Sequence, residues 1–372
     1  MAGRLLKVLH ITTDFAPGTG GLERFVRELA VHSRSADIDP SMLCLNRIAG
    51  DNQRLPSRDE IDGIPVRRLA FLDLKYYKPV LLPMRTLGRA DILHVHGIGA
   101  PLDFVAATRW IHRRPIVLST HGGIFHTSDL LVLKNTYFAL VRRLVLPRVD
   151  RVVACGEGDR RLFADHGVTN TITIDNGIDL RAFSAADGSC DRVANRMLFV
   201  GRIAPNKCVD HLIRTLAEVR RRGIPATLRI IGPDRYGLND GLRTLADELH
   251  LADAVSIPGE VAETDLPREY NQADLFVSAS RHEGFGLSTV EAMAGGAIPL
   301  LNHIPAFEYL LSAESASPGM LCDFADPSAS ADVTVKLLSS DRSAFRAAAR
   351  ARAADFSWDR IIPKWRKTYE SV

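Results

Sequence analysis

The chain has 372 residues, more than one ordinary hydrophobic core absorbs and suited to two domains of similar size. Hydrophobic residues make up 46% and charged residues 24%, the proportions of a soluble globular protein. Its 47 basic and 44 acidic residues leave a formal charge of +3, too small to imply a nucleic-acid partner.

In chain order, residues 5–12 read as a buried parallel strand that runs into a glycine loop. Gly20 and Gly21 give that loop a tight turn where backbone can approach a phosphate or a sugar. The next helix carries Phe25, Val26, Leu29 and Ala30 on its apolar side, and Glu23 in its first turn also suits the helix dipole. Asp37-Ile-Asp39 is the only Asp-x-Asp; it follows this helix, at the wrong end of a sheet for a metal site, so a solvated turn is expected. Residues 91–97, 115–122, 151–155 and 171–175 are further short apolar strands, separated mostly by helical stretches, as in a doubly wound parallel sheet. His94 and His96 alternate onto one strand face, yet with no Cys or Glu beside them no metal is expected. His121 follows a buried strand directly, which makes it a sugar contact, an electrostatic element or a structural histidine. Residues 112–114 and 137–148 mix basic and apolar side chains, as a surface for an anionic leaflet does; a core helix with solvated arginines reads the same way.

After a polar linker over 184–195 the pattern restarts with a strand at 196–201, a turn containing Pro205 and Lys207, and a helix over 210–222. Gly201-Arg202 and Lys207 leave the carboxyl end of that strand and can clamp a diphosphate, Arg as a fork and Lys as a point charge. They also read as a solvated pair at a helix start. Strands follow at 226–232, 254–258 and 273–280, the last leading into Arg281-His-Glu-Gly-Phe-Gly-Leu-Ser-Thr-Val-Glu291. A strand, a Gly-x-Gly turn and a helix start aim backbone N–H groups and a positive dipole end at an anion. Glu283 on the loop and Glu291 about one turn into the helix then flank a diphosphate, which describes a nucleotide-sugar well. Alternatively, Ser288-Thr-Val-Glu291 is a capping box and Glu283 a solvated loop residue. Residues 356–365 have the spacing of a terminal helix that crosses back to the first domain.

The set Gly20-Gly21, His121, Gly201-Arg202, Lys207 and Glu283-x7-Glu291 resembles the retaining glycosyltransferases of family 4, over essentially the whole chain. Residues 118–127 are further similar to the mannosyltransferases of xanthan- and acetan-type polysaccharide assembly. The resemblance implies an α/β GT-B architecture, two facing Rossmann-like domains with a central cleft. Residues 1–183 would be the acceptor-side domain, with 357–372 packed back on it, and 196–356 the nucleotide-sugar domain. Glu283 would contact donor sugar hydroxyls, Glu291 the ribose, and His121 the surroundings of the reacting sugar. Arg202, Lys207 and the backbone of Gly284, Phe285, Gly286 and Leu287 would hold the diphosphate, with Gly20 and Gly21 also on the donor. Neither a protein nucleophile nor a metal cofactor is implied.

The implied substrates are a nucleotide sugar, GDP-mannose for the narrower group, and a lipid-linked glycan in bacterial polysaccharide synthesis. The chain departs from the family pattern at Cys208 (commonly Gly), at Gly156 (often Ser) and over 302–308, where Glu308 stands in for a turn acid. An epimerase on the same scaffold would need an acid/base pair that is not evident, and a non-catalytic binder would have little use for a leaving-group clamp. Five scattered cysteines without Cys-x-x-Cys point to a reducing compartment. Without a membrane-spanning run or a signal-peptide core, a cytoplasmic protein is expected, peripheral on the inner face of the plasma membrane through its lipid-linked acceptor.

Overall fold

Strands covered by helices on both faces read as unbroken apolar runs, and the centres of both sheets here are built from such runs. The computed structural model describes residues 5–18, 20–47, 53–74, 77–121, 131–168, 171–184, 192–313 and 316–372. By contacts the chain divides into two units: Met1–Gly177 with Trp358–Val372, and Ile178–Ser357.

The first unit contains strands β1 (Leu6–Ile11), β2 (Ile38–Leu45), β3 (Arg58–Ile61), β4 (Ile64–Leu69), β5 (Ile92–His96), β6 (Ile116–Ser119), β7 (Arg151–Ala154) and β8 (Thr171–Thr173). Their order in the sheet is β3-β4-β2-β1-β5-β6-β7-β8, and only β3 runs antiparallel to its neighbour. Strands β2, β3 and β4 lie outside the strands expected from apolar runs. β3 is the edge strand Arg-Asp-Glu-Ile, largely exposed, and a charged edge resists pairing with other chains. β2 contains Pro40, which pairs with Val8 of β1 but lies before the register with β4 begins at Met42, so its missing N–H faces no second neighbour. Asp37 lies in the exposed turn before β2, as expected, whereas Asp39 is not in the turn but in the strand, exposed and opposite Lys7 of β1; both are at the amino end, away from the carboxyl edge.

Helix Gly21–Ser33 buries Phe25, Val26, Leu29 and Ala30 on the sheet. Helix Trp358–Glu370 buries Trp358, Ile361, Ile362, Trp365 and Tyr369 in the same core. Trp358 Nε1 donates to Glu28 Oε2 at 2.9 Å, which ties the end of the chain to the first helix.

The second unit is built on β9 (Arg196–Val200), β10 (Thr227–Ile231), β11 (Val255–Gly259), β12 (Leu275–Ser278), β13 (Ile298–Leu301) and β14 (Met320–Leu321). The order is β11-β10-β9-β12-β13-β14, parallel throughout. Ile178 and Phe183 pack in this unit's core, and Ile178 N donates to Phe356 O at 2.8 Å. Among the described residues no helix is long and apolar enough to cross a membrane.

Candidate functional site

Because β9 and β12 are parallel neighbours, the loops after them leave the same edge of the second sheet. The first loop is pinned by buried Ile203 and Ala204 and turns through a short 3-10 segment, Pro205–Lys207. The second is joined to it by a backbone bond from Arg281 N to Asn206 O at 2.9 Å. Across this junction Lys207 Nζ meets Glu283 Oε1 at 2.5 Å, with the two side chains 15% and 18% exposed. Two of the charges singled out by the sequence, one from each loop, are thus brought into one ion pair. Arg202 is exposed on the same loop, and among the described residues no carboxylate pairs with it.

Cys208 has φ 47° and ψ 48°, left-handed backbone that glycine adopts without a Cβ penalty. This is the physical reason a glycine after the lysine suits the turn; here a cysteine fills the position, buried, its thiol donating to Pro205 O at 3.5 Å. Burial raises the pKa of that thiol, and the nearby Arg281 guanidinium partly opposes the shift. Arg281 therefore joins Arg202 and Lys207 as a third cation at this junction. Its place two residues before Glu283 is the signal in the sequence that marks it, although no role was expected for it.

The turn after β12 ends at Gly286, φ +96°, where a Cβ would also lie 3.1 Å from Leu310 Cδ1. Only glycine suits that backbone. Helix Leu287–Ala294 starts immediately after it, and no side chain caps its N-terminus. The capping-box alternative fails on geometry: Ser288 lies inside the helix rather than at its cap. Glu291, 5% exposed, instead accepts a hydrogen bond from the Tyr270 hydroxyl at 2.7 Å. Tyr270 is a positioning partner that the sequence reading missed, because nothing in a helix 21 residues upstream marks it. Phe285 is a core anchor, edge-on to Phe356 at 5.4 Å, so its backbone is what it can offer a ligand. Leu287 also packs against the core, whereas a Cβ on Gly284 would meet nothing within 4 Å. Glu308 is exposed in the first turn of helix Pro305–Leu311.

In the first unit, His121 has φ 48° and follows β6 at the carboxyl edge. Its Nδ1 shares a hydrogen bond with Cys155 Sγ at 3.1 Å and its Nε2 one with His96 Nδ1 at 3.2 Å. His96 Nε2 continues to His10 Nδ1 at 3.0 Å, whereas His94 bonds Ser119 Oγ and the Tyr369 hydroxyl, each at 2.8 Å. His10 sits opposite His94 in the β1–β5 register, so the pair seen on one strand face is really a cluster of three. Burial lowers the pKa of His10 to about 3 and holds His94 and His96 well below 6.5, so all three are neutral. Their ligand atoms lie within 4.8 Å of one another, a spacing open to a metal. The same nitrogens, however, already bond one another and Ser119 and Tyr369; only His10 Nε2 lacks a partner.

Gly20 is the N-cap of helix Gly21–Ser33 with φ −78°, and neither it nor Gly21 takes the left-handed backbone of a tight glycine turn. A Cβ on Gly21 would meet nothing within 4 Å, so the surface there is open. The part of the 118–127 resemblance that falls on 122–127 lies outside the described residues.

Comparison with known proteins covers the chain in two parts. The family described as Glycosyltransferase Family 4 matches residues 19–182, and Glycosyl transferases group 1 matches residues 191–354. A GDP-mannose:cellobiosyl-diphosphopolyprenol alpha-mannosyltransferase of Komagataeibacter xylinus is 34% identical over 370 residues, covering 99% of this chain and 93% of the relative. One of the same name from Xanthomonas oryzae pv. oryzae is 30% identical, covering 99% and 97%. Among solved structures, Anabaena Alr3699/HepE in complex with UDP and glucose superposes with a TM-score of 0.76 at 19% identity, covering 99% of this chain and 100% of that one. Sucrose-phosphate synthase from Thermosynechococcus elongatus gives 0.75 at 19% identity, covering 98% of each.

Proposed function

From a chain that belongs to glycosyltransferase family 4 and has the GT-B fold, we propose a retaining mannosyltransferase that moves mannose from GDP-mannose to a lipid-linked glycan in bacterial polysaccharide assembly. The observation that carries the reading is the Lys207–Glu283 pair beside the uncapped start of helix Leu287–Ala294. A departing diphosphate meets Lys207, Arg202 and the first-turn amides, while Glu283 turns to the sugar hydroxyls. Glu291, held by Tyr270, takes the ribose, and His121, fixed through both ring nitrogens, meets the reacting sugar. Gly21 offers an unobstructed surface to the donor, and Gly20 beside it leaves room for the Glu23 carboxylate, which would lie 2.2 Å from a Cβ there. The donor phosphate accepts the proton of the attacking hydroxyl on the same face, so no protein nucleophile is used.

Cations in place of a metal imply a metal-independent reaction. Purified protein given labelled GDP-mannose and cellobiosyl-diphosphopolyprenol should transfer mannose at an undiminished rate in excess EDTA. Complete loss in chelator, with rescue by magnesium or manganese, would overturn the mechanism. Transfer from UDP-sugars but not from GDP-mannose would overturn the donor.

We also propose that the enzyme works at the inner face of the plasma membrane. Along the helical run from Leu131 to Arg148, Phe138 and Val141 face the core. Val132, 81% exposed, is joined by exposed Leu133, Leu140 and Leu144 and by the exposed Arg142, Arg143 and Arg148. Trp110 and Arg109 border Arg148, with Arg109 donating to its carbonyl at 2.7 Å. The protein should therefore sediment with vesicles containing anionic lipid and release as salt rises, because exposed charges are screened beyond about 8 Å at physiological ionic strength. Equal binding to neutral vesicles, or none to either, would remove the membrane assignment and leave the transferase standing.

A further inference from the structure

The mannosyl acceptor proposed above carries a diphosphate between its glycan and its polyprenyl chain, and the following assignment rests on that reading. β1, β2 and β4 are parallel, so the residues just beyond their last positions gather at one edge of the first sheet, the edge that His121 also follows. Two residues past β2 stands Arg47, and two past β4 stands Phe71. The Arg47 guanidinium lies 4.5 Å from the Phe71 ring centroid, and the Lys78 ammonium lies 5.7 Å from the same centroid. Asp14, three residues past β1, approaches Lys78 at 4.0 Å, and among the described residues no carboxylate pairs with Arg47. Two cations thus gather over one aromatic ring at a carboxyl edge, with Asp14 beside Lys78 and Asp73 two residues beyond the ring.

The chain between β4 and the core residues Val80 and Leu82 has ordered arms. Leu72 N donates to Pro79 O at 3.0 Å and Leu74 N to Tyr77 O at 3.1 Å. Leu72, Leu74, Tyr77 and Leu81 are nevertheless exposed. Apolar side chains displayed together on two hydrogen-bonded arms mark a binding face. Tyr77 ties the arms to the basic-apolar helix: its hydroxyl and that of Tyr137 both donate to Asp103 Oδ2 at 2.8 Å, and the two rings meet edge-on at 6.0 Å.

We propose that this is the acceptor's lipid-diphosphate subsite, with Arg47 and Lys78 on the diphosphate and Leu72, Leu74 and Leu81 against the first isoprene units. A lipid phosphate needs paired cations at the rim of an apolar surface, and Arg suits a multi-oxygen anion through its fork. A nucleotide diphosphate would not need the exposed leucines. A general anionic leaflet would not need the cations stacked on an aromatic ring at the catalytic edge of the sheet.

The test is cosedimentation with phosphatidylcholine vesicles, plain or carrying undecaprenyl diphosphate, with phosphatidylglycerol vesicles of equal charge as a second arm. The native chain should bind the diphosphate-lipid vesicles at least about tenfold more tightly than either of the others, since each 1.4 kcal/mol is a factor of ten. Arg47→Gln with Lys78→Gln should lose that gain, and Leu72→Ser with Leu74→Ser should weaken it. Arg47→Lys with Lys78→Arg should keep most of it, and all variants should bind GDP-mannose normally, which shows that they are folded. Free inorganic diphosphate should compete only weakly. A charge-removed variant that retains the full gain, or a gain matched by phosphatidylglycerol, overturns the assignment. A chain that binds the lipid diphosphate as expected yet transfers no mannose overturns the proposed function instead.

Discussion

Glu283→Ala should lower kcat/KM by at least about a hundredfold, or about 2.7 kcal/mol of transition-state stabilisation, while the second unit stays folded. In the structure Glu283 neutralises Lys207 across two loops, so both partners are already in place before a donor binds. Removing the carboxylate takes away a sugar ligand and also leaves the ammonium without its fixed position. The pair is partly exposed, so the expected stability loss lies between that of a surface pair and that of a buried one, about 1–2 kcal/mol. Thermal unfolding would shift by only several degrees for a unit of this size. Lys207→Ala should give a loss of similar order, about 3–4 kcal/mol in the chemical step if the ammonium stabilises the leaving diphosphate. The two losses should be less than additive because each residue orients the other. Turnover that stays normal per folded molecule while thermal stability collapses would return Glu283 to a structural role.

Mild acid should destabilise the first unit. His10, His94 and His96 are neutral when folded, with the pKa of His10 at about 3 and the other two well below 6.5, and in the unfolded chain each takes a proton near 6.5. Between those values the unfolded state binds more protons, so stability is full above about pH 6.5 and falls as the pH drops below it. An imidazole that stays neutral through this window costs about 1.4 kcal/mol of stability per pH unit as the pH falls, which applies to His10 down to about pH 3. Domains are stable by only about 5–15 kcal/mol, so the loss from His10 alone over two pH units, about 3 kcal/mol, is a large share of it, and His94 and His96 act in the same direction. The chain has 3 tryptophans, Trp110, Trp358 and Trp365, and all belong to the first unit. Their fluorescence during urea unfolding at pH 7, 6 and 5 therefore reads this unit alone. A midpoint unchanged between pH 7 and pH 5 would show that the histidines are charged or solvated.

Much of this protein is legible from local pattern. The apolar runs of β1, β5, β6, β7, β9, β10 and β12 announce buried parallel strands because both of their faces must be covered. β3 was missed because an edge strand made of Arg, Asp and Glu has no apolar run to detect, and β2 because Pro40 breaks one. The glutamate spacing across a Gly-x-Gly turn places Glu283 on a loop and Glu291 in a helix, since only glycine takes the backbone found at Gly286. The same spacing left the role of Glu291 open between a cap and a ligand until the helix start was seen at Leu287.

Local pattern alone carries the parallel α/β alternation, the glycine turn and the residue types that a nucleotide-sugar site needs. Which charges meet is a property of the folded chain. Lys207 and Glu283 are 76 residues apart, Tyr270 and Glu291 are 21 apart, and His10 and His96 are 86 apart. Periodicity fixes the face on which a side chain lies, but it holds no information about which strand lies next to which. Pairing β9 with β12, and β1 with β5, sets those neighbours, and through them the ion pair of the second unit and the histidine row of the first.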